Sequence, residues 1–286
     1  MTNYSTLNCM FNDENIAIHY LINNEILKKT RNCLCGYICN LNIEKRKFYC
    51  FRQGCKKKYS SFDNTFFFKK RIKINEILHL AFLWTCEATP LMAENYLGIS
   101  NKTILKYFKC FRHLIAETIE NQENKIGGKS VIVEIDESKF GKRKYNRGHP
   151  VEGVWVFGGV ERTPERKLFL VDVPNRKEET LLNLIQKYVL PGSIIVSDMW
   201  RGYYNLEHKL NMLHFTVNHS KEFVNSETGA HTNTIEGSWS GIKRKIAVRS
   251  RTKSLINAHL LEFVWRRQNT KNKWKSFLLA VKFGYN

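Results

Sequence analysis

The segment Lys129–Gly141, KSVIVEIDESKFG, constrains the fold more than any other stretch of this sequence. Four of the five residues before Asp136 are Val or Ile, a composition that predicts a largely buried strand. The polar residues that follow predict that the strand ends at Asp136, where water, a metal ion and a substrate can reach the carboxylate. Two further acids repeat this logic, because Asp198 ends the apolar run SIIVSD and Glu236 lies near the predicted start of a helix. Together the three acids predict a metal-dependent phosphoryl-transfer site.

The order of elements after residue 129 favours an α/β fold. Three strands joined by short turns precede two strands separated by helices, which is the order of a ribonuclease H-like mixed sheet with flanking helices. In that arrangement the strand with Asp136 is central, and Asp198 ends the neighbouring fourth strand. The predicted strands span 131–136, 153–160, 167–173, 193–197 and 212–217, and the predicted helices span about 178–189, about 202–209 and the chain from about 232.

The three acids suit Mg²⁺ or Mn²⁺, because carboxylates are the hard ligands that these ions prefer. Two ions about 4 Å apart activate the attacking oxygen and stabilise the leaving oxygen of a phosphodiester. We expect Asp136 to bridge both ions, and Asp198 and Glu236 each to bind mainly one.

The helix predicted to begin near residues 231–232 carries further candidates. Lys243 lies seven residues after Glu236 and therefore on the same helix face, where it is placed to contact a phosphate near the metal ions. Lys245 adds positive charge along that helix, although a solvated basic helix is the alternative interpretation. His219 follows a predicted strand and either orients water or phosphate or serves as a structural imidazole.

The net charge of the chain indicates an anionic partner. There are 46 Lys and Arg residues against 26 Asp and Glu residues, a formal charge of +20, which attracts nucleic acid or an anionic membrane. No apolar run approaches the roughly 20 residues of a membrane span, and the first residues lack the features of a signal peptide. We expect a soluble, intracellular protein that binds DNA and no membrane, in the nucleus of a eukaryote or otherwise in the cytoplasm or nucleoid. A basic loop beside the first acid, with Lys142, Arg143 and Lys144, is an expected DNA contact.

Five of the eight cysteines fall within 23 residues, a density that predicts a metal site rather than disulfides in an intracellular chain. Two cysteine pairs on neighbouring hairpins supply the four ligands of a structural Zn²⁺ ion. Cys50 and Cys55 form the second pair. The first pair is Cys33 with Cys35, or Cys35 with Cys39, because neither spacing is decisive. A cysteine-rich loop without metal is the alternative.

A helical pattern follows the cysteines over residues 73–125. Pro90 opens a short helix, a turn follows at residues 98–100, and Asn101 is the predicted N-cap of a long helix. This is a helix-turn-helix pattern, which also occurs in helical bundles that bind no DNA. Beside a zinc ribbon and a large positive charge it favours DNA binding, with Asn101, Lys102 and Lys106 as candidate contacts.

These observations divide the chain into four regions. The predicted regions are an N-terminal segment of unassigned role (1–29), a zinc ribbon (30–72), a helix-turn-helix-like segment (73–125) and, after a linker, the α/β domain with the three acids (129–286).

Four segments of the chain resemble a known family. They are CLCG with YCFRQGCKKKYS, then VEIDESKFGKRKYNRGHPVEGVWVFGGVER, IIVSDMWRGYYNL and VNHSKEFVNSETGAHTNTIEGSWSGIKRKI. Together they cover the chain from about residue 30 to 250, and they resemble the ISXO2-like (IS1595/IS1016 group) transposases and the related Merlin transposons.

The resemblance implies a DDE-type recombinase. Such an enzyme binds terminal inverted repeats, cleaves DNA by hydrolysis, joins the new 3′-hydroxyl to target DNA and works as a homo-oligomer. Asp136, Asp198 and Glu236 would be the acids of the DDE site, and Lys243 its lysine. A domesticated, non-catalytic DNA-binding descendant is the main alternative, and a general ribonuclease H-like nuclease is a third.

Overall fold

The structure is a computed structural model that describes residues 4–120, 125–141, 153–221, 223–226 and 229–284. The chain divides into two units, Met1–Thr118 with Asn269–Asn286, and Ile119–Gln268. The helices are α1 (Tyr4–Asn12), α2 (Glu14–Asn23), α3 (Ile74–Thr85), α4 (Pro90–Leu97), α5 (Asn101–Glu120), α6 (Glu178–Tyr188), α7 (Leu206–Leu210), α8 (Asn233–Lys245), α9 (Ile256–Gln268) and α10 (Lys273–Phe283). The strands are β1 (Thr30–Asn32), β2 (Ile38–Asn42), β3 (Lys47–Tyr49), β4 (Lys58–Ser60), β5 (Ile126–Gly127), β6 (Ile132–Phe140), β7 (Val154–Glu161), β8 (Leu168–Val173), β9 (Val189–Leu190), β10 (Ile194–Asp198) and β11 (His214–Val217).

In the first unit, β1 to β4 form a four-stranded antiparallel sheet in sequence order. These strands are three to five residues long and supply little apolar core, which consists of Phe48 with three buried cysteines, Cys33, Cys39 and Cys50. A sheet this small therefore depends on its cysteines for internal contacts.

The helices of the first unit pack around aromatic side chains. In the helix-turn-helix-like segment, α4 starts at Pro90 with a cap from the Thr89 hydroxyl and ends at Leu97, where the capping residue is Gly98, whose φ of +67° favours glycine. The predicted N-cap is wrong by one residue, because α5 already includes Asn101, and Ser100 accepts the backbone hydrogen bond from Ile104.

The second unit contains a five-stranded sheet in the order β11-β10-β6-β7-β8. β7 is antiparallel to β6 and β8, whereas β10 is parallel to both β6 and β11. The sheet packs on α6 through an apolar core, and α8 covers β6 and β7 on the other side. The predicted mixed sheet flanked by helices is therefore confirmed.

The predicted end of the central strand is wrong. β6 does not stop at Asp136 but continues to Phe140, and Asp136 pairs with Gly158 of β7. The physical reason is the antiparallel partner, because β7 supplies backbone hydrogen bonds along the whole of β6, including its polar residues. On the side of β6 away from β7, the neighbouring strand β10 ends at Asp198. Beyond Asp136, β6 therefore continues without β10 beside it.

None of the helices in the described residues has the length and apolar character that a membrane span requires.

Candidate active site and cysteine cluster

Asp136 and Asp198 lie level with each other on neighbouring parallel strands. In this pairing Val196 of β10 is opposite Glu134 of β6, and each aspartate lies two residues further along its own strand. Side chains two residues apart share a face of the sheet, so both carboxylates lie on the same face as α8. Glu236 is in the first turn of that helix.

The electrostatics of Asp136 show that the three acids interact. Burial is the main cause that raises the pKa of Asp136 to about 6, and the nearby charges of Asp198 and Glu236 contribute to the same rise. A bound cation near Asp136 would favour the ionised form that burial and the two nearby acids disfavour. Asp136 and Asp198 are half-buried and Glu236 is exposed, and carboxylates of this kind are hard, anionic donors that fit a divalent ion such as Mg²⁺. The carboxylate oxygens of the three acids are not all within 4.8 Å of one another.

Trp239 of α8 holds the Asp136 carboxylate. Its indole N–H donates a hydrogen bond to Oδ2 of Asp136 at 2.9 Å, although the ring itself is buried. Gly158, directly opposite Asp136, makes this approach possible, because a Cβ there would lie 2.8 Å from the Trp239 ring. Sequence reasoning missed this contact, since nothing in the pattern pairs a helix tryptophan with a strand acid 103 residues away.

Glu236 is held by two side chains. The Thr232 hydroxyl donates to Oε1 of Glu236 at 2.7 Å and accepts from Nε2 of His219 at 2.8 Å. The same imidazole nitrogen is 3.3 Å from the Glu236 oxygen. The structure therefore brings the sequence candidate His219 against the third acid, where it orients the carboxylate.

Lys243 lies two helical turns after Glu236 and close to the first acid. Its ammonium is 5.5 Å from the centre of the Phe140 ring. Burial lowers the pKa of Lys243, Arg251 lowers it further, and the negative charge of Asp136 opposes this shift. The structure thus brings Lys243 within electrostatic reach of the acids, whereas Lys245 is exposed further along α8.

The extension of β6 adds an acid, Glu137, that is not among the site residues predicted from the sequence. Glu137 faces away from Asp136 and accepts a hydrogen bond of 2.6 Å from the Tyr203 hydroxyl. Burial raises the pKa of Glu137 to about 7. The backbone N–H of Trp200 also donates to Asp198 at 3.0 Å, so the turn after β10 is fixed both to Asp198 and to β6.

The candidate DNA contacts of the first unit lie at the start of α5. Lys102 and Lys106 line a groove of about 330 Å³ with the segment 68–72. Asn101 is next to this groove, but its side-chain amide donates to Glu94 at 3.0 Å. The basic loop residues Lys142, Arg143 and Lys144 lie outside the described residues.

Four cysteine sulfurs meet at one end of the small sheet. The Sγ atoms of Cys33, Cys35, Cys50 and Cys55 all lie within 4.8 Å of one another, with Cys33 to Cys55 at 3.6 Å and Cys35 to Cys50 at 3.5 Å. Cys39 is fully buried nearby, but its sulfur is not in this group. Four thiols at this spacing match the ligand set of a structural Zn²⁺ ion.

The β1–β2 hairpin explains which cysteines meet. Cys33 and Cys35 lie in the turn, where Gly36 has a φ of +84°, whereas Cys39 is paired with Arg31 inside the strands. The backbone N–H of Cys35 and the Tyr59 hydroxyl lower the pKa of Cys33 to about 6. The surroundings of Cys33 therefore favour the thiolate, the form that binds metal.

Comparison with known proteins identifies the second unit. A family model described as an ISXO2-like transposase domain matches residues 115–268, which is more than half of the chain. The chain belongs to the ISXO2-like transposase family. The resemblance to the ISXO2-like transposases is thereby confirmed, and the matched domain contains all three acids and Lys243 but not the cysteine cluster.

Two individual proteins are also similar to this transposase. An uncharacterized transposase-like protein of Haemophilus influenzae is 33% identical over 108 residues, which cover 37% of this chain and 85% of the relative. A chain in the crystal structure of the Mos1 strand transfer complex matches 75% of this chain and 80% of its own length at 13% identity. The TM-score of that second match is 0.21, too low to support any argument about the fold.

Proposed function

We propose that this transposase is a DDE enzyme that binds terminal inverted repeats, cleaves DNA by metal-dependent hydrolysis and joins 3′-hydroxyl ends to target DNA. The observation that carries the proposal is the assembly of Asp136, Asp198 and Glu236 on one face of the sheet, within the matched transposase domain. A homo-oligomer that holds two DNA ends is part of the same proposal, and sizing of the DNA-bound complex tests it.

The sheet supports a ribonuclease H-like interpretation of the domain. Counted from β6, its strands stand in the order 3-2-1-4-5, and β7 is antiparallel to the other four. The central strand carries the first acid, and its parallel neighbour carries the second at the same level. In open sheets of this kind, ligands bind beside the carboxyl ends of the parallel strands.

The residues of the site have separate roles in this proposal. Asp136 would hold two Mg²⁺ or Mn²⁺ ions, and Asp198 and Glu236 would each hold one. When bound, the ions supply activation of the attacking oxygen and stabilisation of the leaving oxygen. Trp239 fixes the Asp136 carboxylate through its indole N–H. Lys243 places a positive charge beside the acids. There it would stabilise the negative charge of the scissile phosphate.

The groove of the first unit is the proposed contact with the DNA backbone. It is lined by cations that form no ion pair with any acid among the described residues, namely Lys69, Lys70, Arg71, Lys102 and Lys106. Lys70 is held in place, because its ammonium lies 4.6 Å from the Phe66 ring centre and 5.9 Å from that of Tyr107. Several unpaired cations in one groove fit the closely spaced phosphates of duplex DNA.

This groove gives a prediction about salt dependence. If the protein contacts about six phosphates, affinity for repeat DNA falls with a log–log slope near −5, and Lys70→Gln reduces that slope by about 0.9. Lys187→Gln is the matched control, because Lys187 also lies above a ring, at 5.1 Å from Tyr188, but on α6. Fluorescence anisotropy titrations at several salt concentrations measure both slopes. An unchanged slope in Lys70→Gln would remove the groove from the DNA interface.

The experiment that tests the proposed function is cleavage in vitro. DNA carrying the repeats that flank the coding sequence is incubated with the full chain, with Mg²⁺ or with EDTA. Strand cleavage that depends on Mg²⁺, followed by joining to a target plasmid, is the expected result. Tight repeat binding without cleavage would instead identify a domesticated DNA-binding protein, and cleavage of any duplex without joining would identify a general nuclease.

A further inference from the structure

A buried glutamate connects the two elements that carry the first and third acids. Glu134 of β6 has no solvent exposure. Its Oε2 accepts hydrogen bonds from the backbone N–H groups of Thr234 at 2.8 Å and Ile235 at 3.0 Å. Its Oε1 accepts from the Thr234 hydroxyl at 2.8 Å. One carboxylate therefore satisfies three donors in the first turn of α8.

The positions of these contacts relate them to the acids. Glu134 lies two residues before Asp136 on β6, and Thr234 lies two residues before Glu236 on α8. The hydrogen bonds therefore join β6 and α8 at positions that lie, on each element, only two residues before a proposed metal ligand. A short, multiply bonded connection of this kind limits both sliding and rotation of α8 along β6.

The negative charge of Glu134 is compensated inside the protein. Arg162 Nε donates to Oε1 of Glu134 at 2.5 Å, and its Nη2 donates to the backbone oxygen of His231 at 2.5 Å. The His231 ring nitrogen Nδ1 is 3.4 Å from the same Glu134 oxygen. A buried carboxylate persists only when it is paired and hydrogen-bonded, and this pairing also fixes the chain just before α8.

We propose that Glu134 is a positioning residue that sets the placement of Glu236 relative to Asp136, and hence the affinity of the acid site for divalent metal. The hydrogen bonds from the first turn of α8 to the Glu134 carboxylate form what we call the clamp between β6 and α8. The effect of Glu134 on metal binding rests on the proposed function, whereas the clamp does not. Residues that orient metal ligands typically change metal affinity 10- to 100-fold when they are replaced.

The test compares two buried strand glutamates. Glu134→Gln keeps the size of the side chain but replaces one acceptor oxygen with a donor. Glu161→Gln is the matched control, because Glu161 is also buried in this sheet, yet its carboxylate accepts hydrogen bonds from Gly127 and Thr163 and not from α8. Comparable losses of melting temperature in the two variants make them a fair pair.

Amide hydrogen exchange measures whether the hydrogen bonds of the clamp form, and it requires neither catalysis nor bound metal. In Glu134→Gln we expect faster exchange of the Thr234 and Ile235 amides, by at least tenfold, with the Gly127 amide unchanged. Glu161→Gln should show the reverse pattern. Unchanged protection of the Thr234 and Ile235 amides in Glu134→Gln would overturn the proposal.

The affinity for Mn²⁺ measures the expected effect of the clamp on the acid site. Calorimetric titration of the full chain with Mn²⁺ should give a dissociation constant about tenfold weaker for Glu134→Gln than for the wild type and Glu161→Gln, with repeat-DNA affinity equal in all three. Equal weakening in both variants would overturn the proposal, because that result indicates general loss of stability. If the wild-type protein binds Mn²⁺ at the acids but does not cleave DNA, the proposed function fails while the clamp remains testable.

A milder variant keeps the test available if Glu134→Gln does not fold. Thr234→Val removes one hydroxyl donor and leaves the carboxylate in place. We expect the same changes in amide exchange and Mn²⁺ affinity in smaller measure, and no change in either would count against the positioning role.

Discussion

Asp136→Asn and Asp198→Asn are each expected to reduce cleavage of repeat DNA by roughly a thousandfold or more, with DNA affinity nearly unchanged. The acids hold metal rather than the duplex, and correct placement of the ions contributes several kcal/mol of transition-state stabilisation, at 1.36 kcal/mol per tenfold in rate. Single-turnover cleavage assays and anisotropy titrations on the same preparations measure the two effects.

Asp172→Asn is the matched control for these variants. Asp172 is also a half-buried strand aspartate of the same sheet, but it lies on β8, with β7 between it and β6. Its replacement should leave cleavage within a fewfold of wild type. Wild-type cleavage by either Asp136→Asn or Asp198→Asn would refute the DDE assignment.

Asp136→Asn also has an expected effect on stability in the absence of metal. The pKa of Asp136 is raised to about 6, so between about pH 4 and 6 the folded state binds this proton more strongly than the unfolded state does. The ionised carboxylate is therefore destabilising above pH 6, and the amide removes that cost. Melting curves in EDTA at pH 7 should show no loss of stability in the variant, whereas a clear loss would contradict the assigned burial of charge.

Cys50→Ser is expected to abolish zinc binding, and with it the fold of the small sheet. Structural Zn²⁺ contributes on the order of 10 kcal/mol or more to domains of this size. Elemental analysis of the wild-type chain, purified without chelator, should find one zinc per molecule. Repeat binding should be lost in the variant, while the separate acid-containing unit keeps its melting transition.

Cys33 and Cys39 provide the internal comparison for this site. Both thiols are buried, but only the Cys33 sulfur lies in the four-sulfur group. Cys33→Ala should therefore lose zinc, and Cys39→Ala should keep it. Retention of zinc by Cys33→Ala with loss in Cys39→Ala would exchange the two assignments, and no zinc in the wild-type protein would end the proposal of a structural metal.

Local composition determined much of what could be predicted about this protein. The Val and Ile run before Asp136 specifies a strand because β-branched side chains suit a pleated, buried surface, and SIIVSD does the same before Asp198. Proline and glycine at residues 90 and 98 delimit α4 for equally local reasons. Cysteines close together in the sequence indicated a metal site in the same way, since short hairpins bring near neighbours together.

Only the tertiary structure decided the features that depend on pairing between distant segments. β6 continues to Phe140 because β7 pairs with it, and Trp239 reaches Asp136 because Gly158 leaves space across that pairing. The contact of Glu134 with Thr234 spans 100 residues. A sequence pattern reports the face on which a side chain lies, but strand register and helix docking determine which residue it meets there.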